Sequence, residues 1–151
     1  MPSDCLECLI GATRVEVPLA EVERLLEYDA APPPPLAEPW IGGIGIESVG
    51  QSDELFLSVS LRGDGGARSR HAQGLLFKSR AGGPRWALEV DRVVGLRAIE
   101  AESEADPVTG WPAPAAWLRR ARDAQGDEVR WFDVAEALRT LTGDAPEAPP
   151  E

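Results

Sequence analysis

The segment Arg85–Ile99, RWALEVDRVVGLRAI, decides the fold class. In its first half Trp86, Leu88 and Val90 fall on one face of an extended chain, and Arg85, Ala87 and Glu89 on the other. That period of two predicts a half-buried strand. Asp91 and Arg92 break the pattern, and Val93-Val94-Gly95-Leu96 resumes an apolar run at once. Two strands about a tight charged corner predict a hairpin of a β-rich module, with Asp91 fixing the turn.

Upstream, Cys5 to Ile10 reads as a first strand ending at Gly11, and Thr13 to Val17 alternates with Val15 and Val17 on one face and Glu16 on the other. Pro18 can open a helix. Leu19, Val22, Leu25 and Leu26 follow at helical spacing, which predicts a short amphipathic helix closing near Tyr28-Asp29. Ala30 to Pro39 carries four consecutive prolines and cannot enter the middle of a sheet. It reads as a stiff crossing, or, less simply, as an exposed proline-rich ligand.

Trp40 to Ile46, WIGGIGI, is a strand whose glycines mark a bulge or a close backbone approach. No helix follows it, so a phosphate-binding glycine loop is disfavoured. Ser48 to Glu54 reads as a polar loop. Leu55, Leu57, Val59 and Leu61 alternate with Phe56, Ser58 and Ser60 in the clearest strand signal of the chain. Arg62 to His71 is a flexible loop, Gly74 to Lys78 a strand, and Ala81 to Pro84 a turn into the opening segment.

Ala101 to Pro114 is an acidic, irregular crossing. Trp117–Arg122 and Glu128–Phe132 form a hairpin around Asp123–Asp127. Asp133 caps a final helix, with Glu136 completing a capping box and Gly143 ending it. Residues 144–151 are an acidic, proline-rich tail expected to be disordered. Residues 1–143 then make one domain of two β subdomains, with a crossing expected near residues 62–72. RVEVPLAEVERL (Arg14–Leu25) faintly resembles RWALEVDRVVGL (Arg85–Leu96), which suits two similar halves.

The net charge of −11 and pI of 4.6, with no basic cluster, disfavour nucleic acid as a partner. No apolar run reaches the roughly 18 residues of a membrane span, and MPSDCLECLIG does not read as an export signal. With two cysteines, the reducing cytoplasm is the expected compartment.

Catalytic chemistry finds little support. Cys5 and Cys8 spell C-x-x-C, but residues three apart on a strand point to opposite faces. The expectation is two buried thiols rather than a redox or zinc site; a small thiol or metal protein is the lesser alternative. His71, the sole histidine, lies in a loop. Asp91 and Asp133 are expected to tie down backbone amides. Of the five tryptophans, Trp40, Trp86, Trp117 and Trp131 are expected in the core, and Trp111 is the candidate for exposure.

The ordered segments VEVPLAEVERLLEYD, PWIGGI, LFLSVSLR, WALEVDRVVGL and EVRWFDVAEAL resemble, in that order, the motifs of the CheW family of chemotaxis coupling proteins. The resemblance spans Cys5 to about Leu141. It implies a mainly β fold: two intertwined, five-stranded SH3-like barrels, a short helix after the second strand and a C-terminal helix. It also implies a cytoplasmic, non-catalytic adaptor without cofactors, linking chemoreceptor tips to a CheA-type histidine kinase through a groove between the barrels. On that basis Val22, Leu25 and Gly43 on one barrel and Val93 on the other are the expected protein-binding residues. One departure stands out. Where the family usually carries Asn-Leu-Arg-Gly, this chain has Glu47-Ser48-Val49-Gly50, and the aspartate of the family's Asp-Leu-Arg element is Ser60. A divergent member serving another signalling partner is the alternative reading.

Overall fold

A computed structural model describes residues 2–63, 70–79 and 83–143. Among the described residues ten strands close into two five-stranded barrels. The first is built from β1 (Ser3–Ile10), β2 (Thr13–Pro18), β8 (Arg92–Ala105), β9 (Leu118–Asp123) and β10 (Glu128–Phe132), in the order β1-β2-β10-β9-β8. The second holds β3 (Val22–Ala31), β4 (Ile41–Val49), β5 (Ser52–Val59), β6 (Arg70–Phe77) and β7 (Trp86–Glu89), in the order β3-β4-β5-β7-β6. Its strands lie between β2 and β8 in sequence, so one barrel is inserted into the other. Each barrel is completed by one parallel pair, β2 with β10 and β5 with β7. Among the described residues one α-helix, α1 (Val134–Thr142), follows β10.

The opening segment is not a hairpin. Its two strands sit in different barrels: β7 pairs with β5 and β6, and β8 with β1 and β9. The chain enters the second barrel at Pro18–Val22 and leaves it at Glu89–Arg92. These are the two stretches that resemble each other in sequence. β5 and β6, the strands on either side of the crossing expected near residues 62–72, belong to the same barrel. Residues 64–69, 80–82 and the tail 144–151 lie outside the described residues.

Burial explains the topology. Trp86, Leu88 and Val90 enter a core shared by both barrels with Val15, Val17, Trp40, Leu61, Phe77, Trp117 and Phe132. Ala87, on the other face, packs inside the second barrel with Tyr28, Phe56 and Leu76. β7 is therefore buried on both faces, as a strand between two packed layers must be. In the shared core Trp40 meets Trp117 edge-on at 4.9 Å between ring centres, and Trp86 lies 6.1 Å from Phe132. Burying a ring of this size contributes on the order of 4–6 kcal/mol of gross transfer free energy. Trp111, expected at the surface, is half-buried against this core. Trp131 is half-buried in the first barrel beneath the Arg119 guanidinium, 5.8 Å from its ring centre.

The helix expected from Leu19 is reduced to one 3-10 turn, Leu19–Glu21, and Val22–Ala31 is the strand β3. Pairing with β6 along nearly its whole length overrides the helical spacing. A register shift between Val22 and Arg24 lets Val22 enter the shared core while Tyr28 and Ala30 face the interior of the second barrel. Two stretches expected to be irregular are also β: Ser48–Glu54 is the tip of the β4–β5 hairpin, and β8 continues through Ala105. The β9–β10 hairpin forms as expected. So does the cap of α1, where Asp133 Oδ1 accepts from the Glu136 amide at 3.1 Å and Gly143 closes the helix at φ 74°.

Candidate interaction surfaces

The four residues expected to bind partners occupy different environments. Val22 is buried at the start of β3, whereas Leu25, three residues on, stands 45% exposed. Gly43 sits at a bulge of β4 with φ 134°, where an added Cβ would collide with the Ala31 carbonyl oxygen. Its role is close approach of β4 to β3. Val93 is half-buried at the start of β8, opposite Cys8. The fold thus brings only Leu25 of the four to open solvent.

Several apolar side chains that the sequence reading did not select stand there too. Ile46 on β4 and Leu55 on β5 are direct cross-strand neighbours, 43% and 61% exposed. On the first barrel Leu96 of β8 is 62% exposed and pairs with the half-buried Leu6 of β1, with Val94 exposed nearby. Alternation flagged Leu55 and Leu57 as apolar, but not which way they face. In the fold Phe56 and Ser58 point into the second barrel, where the Ser58 hydroxyl lies 2.7 Å from that of Tyr28, and Leu55 is left outside.

The β4–β5 hairpin is organised by charge. Glu47 and Glu54 sit directly across the β4–β5 ladder, a destabilising like-charge pair if left alone. Arg85 bridges them, with Nη2 at 3.6 Å from Glu47 Oε2 and 3.2 Å from Glu54 Oε2, and Arg24 on β3 also pairs with Glu47. Next along, the Ser48 hydroxyl donates to Asp53 Oδ1 at 2.9 Å, and Gly50 turns the chain at φ 61°. A carboxylate stands here, tied to two arginines.

Inside the first barrel, Arg97 contacts three carboxylates. It pairs with Asp123, lies 3.1 Å from Glu7 Oε1, and lies 3.8 Å from Glu16 Oε1. Glu16 is wholly buried, and neither of its oxygens is hydrogen-bonded by a described residue. Desolvation, and then the negative charge of Glu7, push its carboxyl up to about 7. The sequence reading placed Glu16 on a polar face; the closure of β2 against β10 buries it.

Cys5 and Cys8 are both buried and both free. The two thiols enter different apolar clusters, Cys8 with Ile10 in the shared core and Cys5 with Ile99 and Ala121, as residues three apart on a strand should. Burial, reinforced by Glu16, raises Cys5 to about 11 and Cys8 to about 12, so both are protonated and poorly nucleophilic at neutral pH. Among the described residues no group of three or more His, Cys, Asp or Glu side chains is placed to hold a metal ion. His71 is exposed beside Asp29 at 3.3 Å. Asp91 holds a turn, accepting from the Gly11 amide at 2.5 Å and lying 3.5 Å from Arg62 Nη2.

Two inserted barrels followed by a capped helix make a CheW-like fold. Among solved structures the chain is similar to the scaffolding protein TtCheW from Thermoanaerobacter tengcongensis, with a TM-score of 0.59 at 15% identity, over 89% of this chain and 86% of that one. At that identity the likeness is one of fold. No protein-family model matches the sequence, and no curated protein matches it. Among the described residues no helix is long and apolar enough to cross a membrane.

Proposed function

We propose that this chain is a CheW-like scaffold that couples chemoreceptors to a CheA-type histidine kinase in the cytoplasm, acting by binding rather than by catalysis. The observation that carries the reading is the double barrel shared with TtCheW along nearly the whole chain. Exposed apolar strand faces on both barrels give it two separate contact surfaces, centred on Leu55 and Leu96. Such patches rimmed by polar groups are the usual mark of protein docking. On the second barrel Leu25 would touch the partner directly, while Val22 and Gly43 hold the β3 and β4 backbones that present the patch. Val93 does the same for β8. Binding of the purified chain to a cognate kinase regulatory domain and to a receptor signalling tip tests the reading. Leu25→Asp and Leu96→Asp should each weaken one partner and spare the other.

A second reading keeps the fold and changes the partner. Glu47, held by Arg24 and Arg85, stands in the hairpin where the family's loop carries an arginine. Under this reading the chain docks a different signalling or motility protein. Ser48→Arg separates the two: a gain of kinase coupling means that the ordinary site is intact, and no change favours a different surface.

A further inference from the structure

Leu36 stands wholly in solvent at the tip of the loop joining β3 to β4, and is the most exposed of the large apolar side chains described. It is also the one described non-glycine residue with positive φ, at 67°. The Ala37 amide donates to the Pro34 carbonyl at 3.2 Å, which makes Pro35 and Leu36 the central pair of a tight turn. A turn with positive φ at its second central position normally takes glycine or asparagine there. Leucine strains the backbone and leaves an isobutyl group in water, and glycine would remove both costs. Neither the stability of the turn nor solubility accounts for the residue.

The tip is also rigidly mounted. Four prolines, Pro32–Pro35, fix the φ angles on one side. On the other, the Ile41 amide donates to the Glu38 carbonyl at 2.9 Å, and Trp40 is seated in the shared core against Trp117. A rigid apolar tip loses little conformational freedom when it docks. Strain of this kind, held by well-determined surroundings, is typical of ligand clamps and binding sites.

We propose that Leu36 is a preformed anchor that inserts into an apolar socket on the regulatory domain of the kinase. The proposal rests on the scaffold reading above. Glu38 is exposed beside the tip and the whole chain carries −11, so the socket is rimmed by lysine or arginine.

The test uses the full chain and the regulatory domain of the cognate CheA-type kinase, with affinity measured by calorimetry at low and high salt. Leu36→Gly should bind roughly tenfold or more weakly, as loss of an interface anchor does, while its melting temperature is unchanged or higher. Leu36→Met, which keeps an apolar tip, should stay within about threefold of the wild type. Added salt should weaken wild-type binding. Equal binding by the wild type and Leu36→Gly overturns this inference alone. No binding by the wild type overturns it together with the scaffold reading.

Discussion

The carboxylate of Asp91 accepts a hydrogen bond from the backbone amide of Gly11 at 2.5 Å, across 80 residues of sequence. The contact joins the β1–β2 turn to the crossing that leads from the second barrel back to the first. The Asp91 amide in turn donates to the Leu9 carbonyl at 2.8 Å, so one residue holds both the end of β1 and the turn that follows it. Asp91→Ala leaves the Gly11 amide without its acceptor and should cost about 1–2 kcal/mol in urea denaturation. Asp91→Asn keeps an acceptor oxygen and should cost less. Equal losses from both variants would show that the charge, not the hydrogen bond, matters.

Gly43 combines positive φ with a hydrogen atom pointed at the Ala31 carbonyl. Any side chain there must push β4 away from β3 or break the bulge. Gly43→Ala should destabilise the chain by roughly 2–4 kcal/mol. A loss below about 0.5 kcal/mol would mean that the bulge can shift register at no cost.

Glu16 makes stability depend on pH. Its folded pKa of about 7 lies above the 4.5 of an unperturbed glutamate, so the folded chain keeps a proton that the unfolded chain releases. Stability therefore falls as pH rises from about 4.5 to about 7 and changes no further from this group above that window. The full swing is at most about 3 kcal/mol. Glu16→Gln, neutral and of the same shape, should flatten that part of the profile, as read by melting temperature across the pH series. A slope between pH 4.5 and about 7 that the substitution leaves unchanged would mean that the carboxyl is already ionised inside the barrel across that window.

Ile46 and Leu55 form an apolar pair on the outside of the second barrel. Ile46→Lys and Leu55→Lys should change unfolding free energy by less than about 0.5 kcal/mol, as surface substitutions do. Each should weaken partner binding by roughly 2 kcal/mol if the patch is central to the interface. Loss of folding instead would show that the patch belongs to the core.

What could be read from the sequence follows from which interactions are local. The β9–β10 hairpin, the Asp133 cap and the bulge at Gly43 depend on residues close together in the chain, and all three were legible there. The β7–β8 segment was misread as a hairpin because its partners are β5, β6, β1 and β9, which local alternation cannot identify. Val22–Tyr28 carried a helical spacing that only pairing with β6 could overrule. The outward turn of Leu55 and the burial of Glu16 share one cause. Alternation sorts side chains onto two faces, and barrel closure decides which face meets water. For β2 and β7 both faces are buried, and no local pattern announces that.

The most direct measurement is titration of the full chain with the cognate CheA-type regulatory domain and, separately, with a receptor signalling tip, followed by both together. The scaffold reading expects each to bind with a Kd of roughly 10 μM or tighter, and the two to be held at once in a ternary complex. Absence of binding to both at about 100 μM would contradict it and leave only the fold in common with TtCheW.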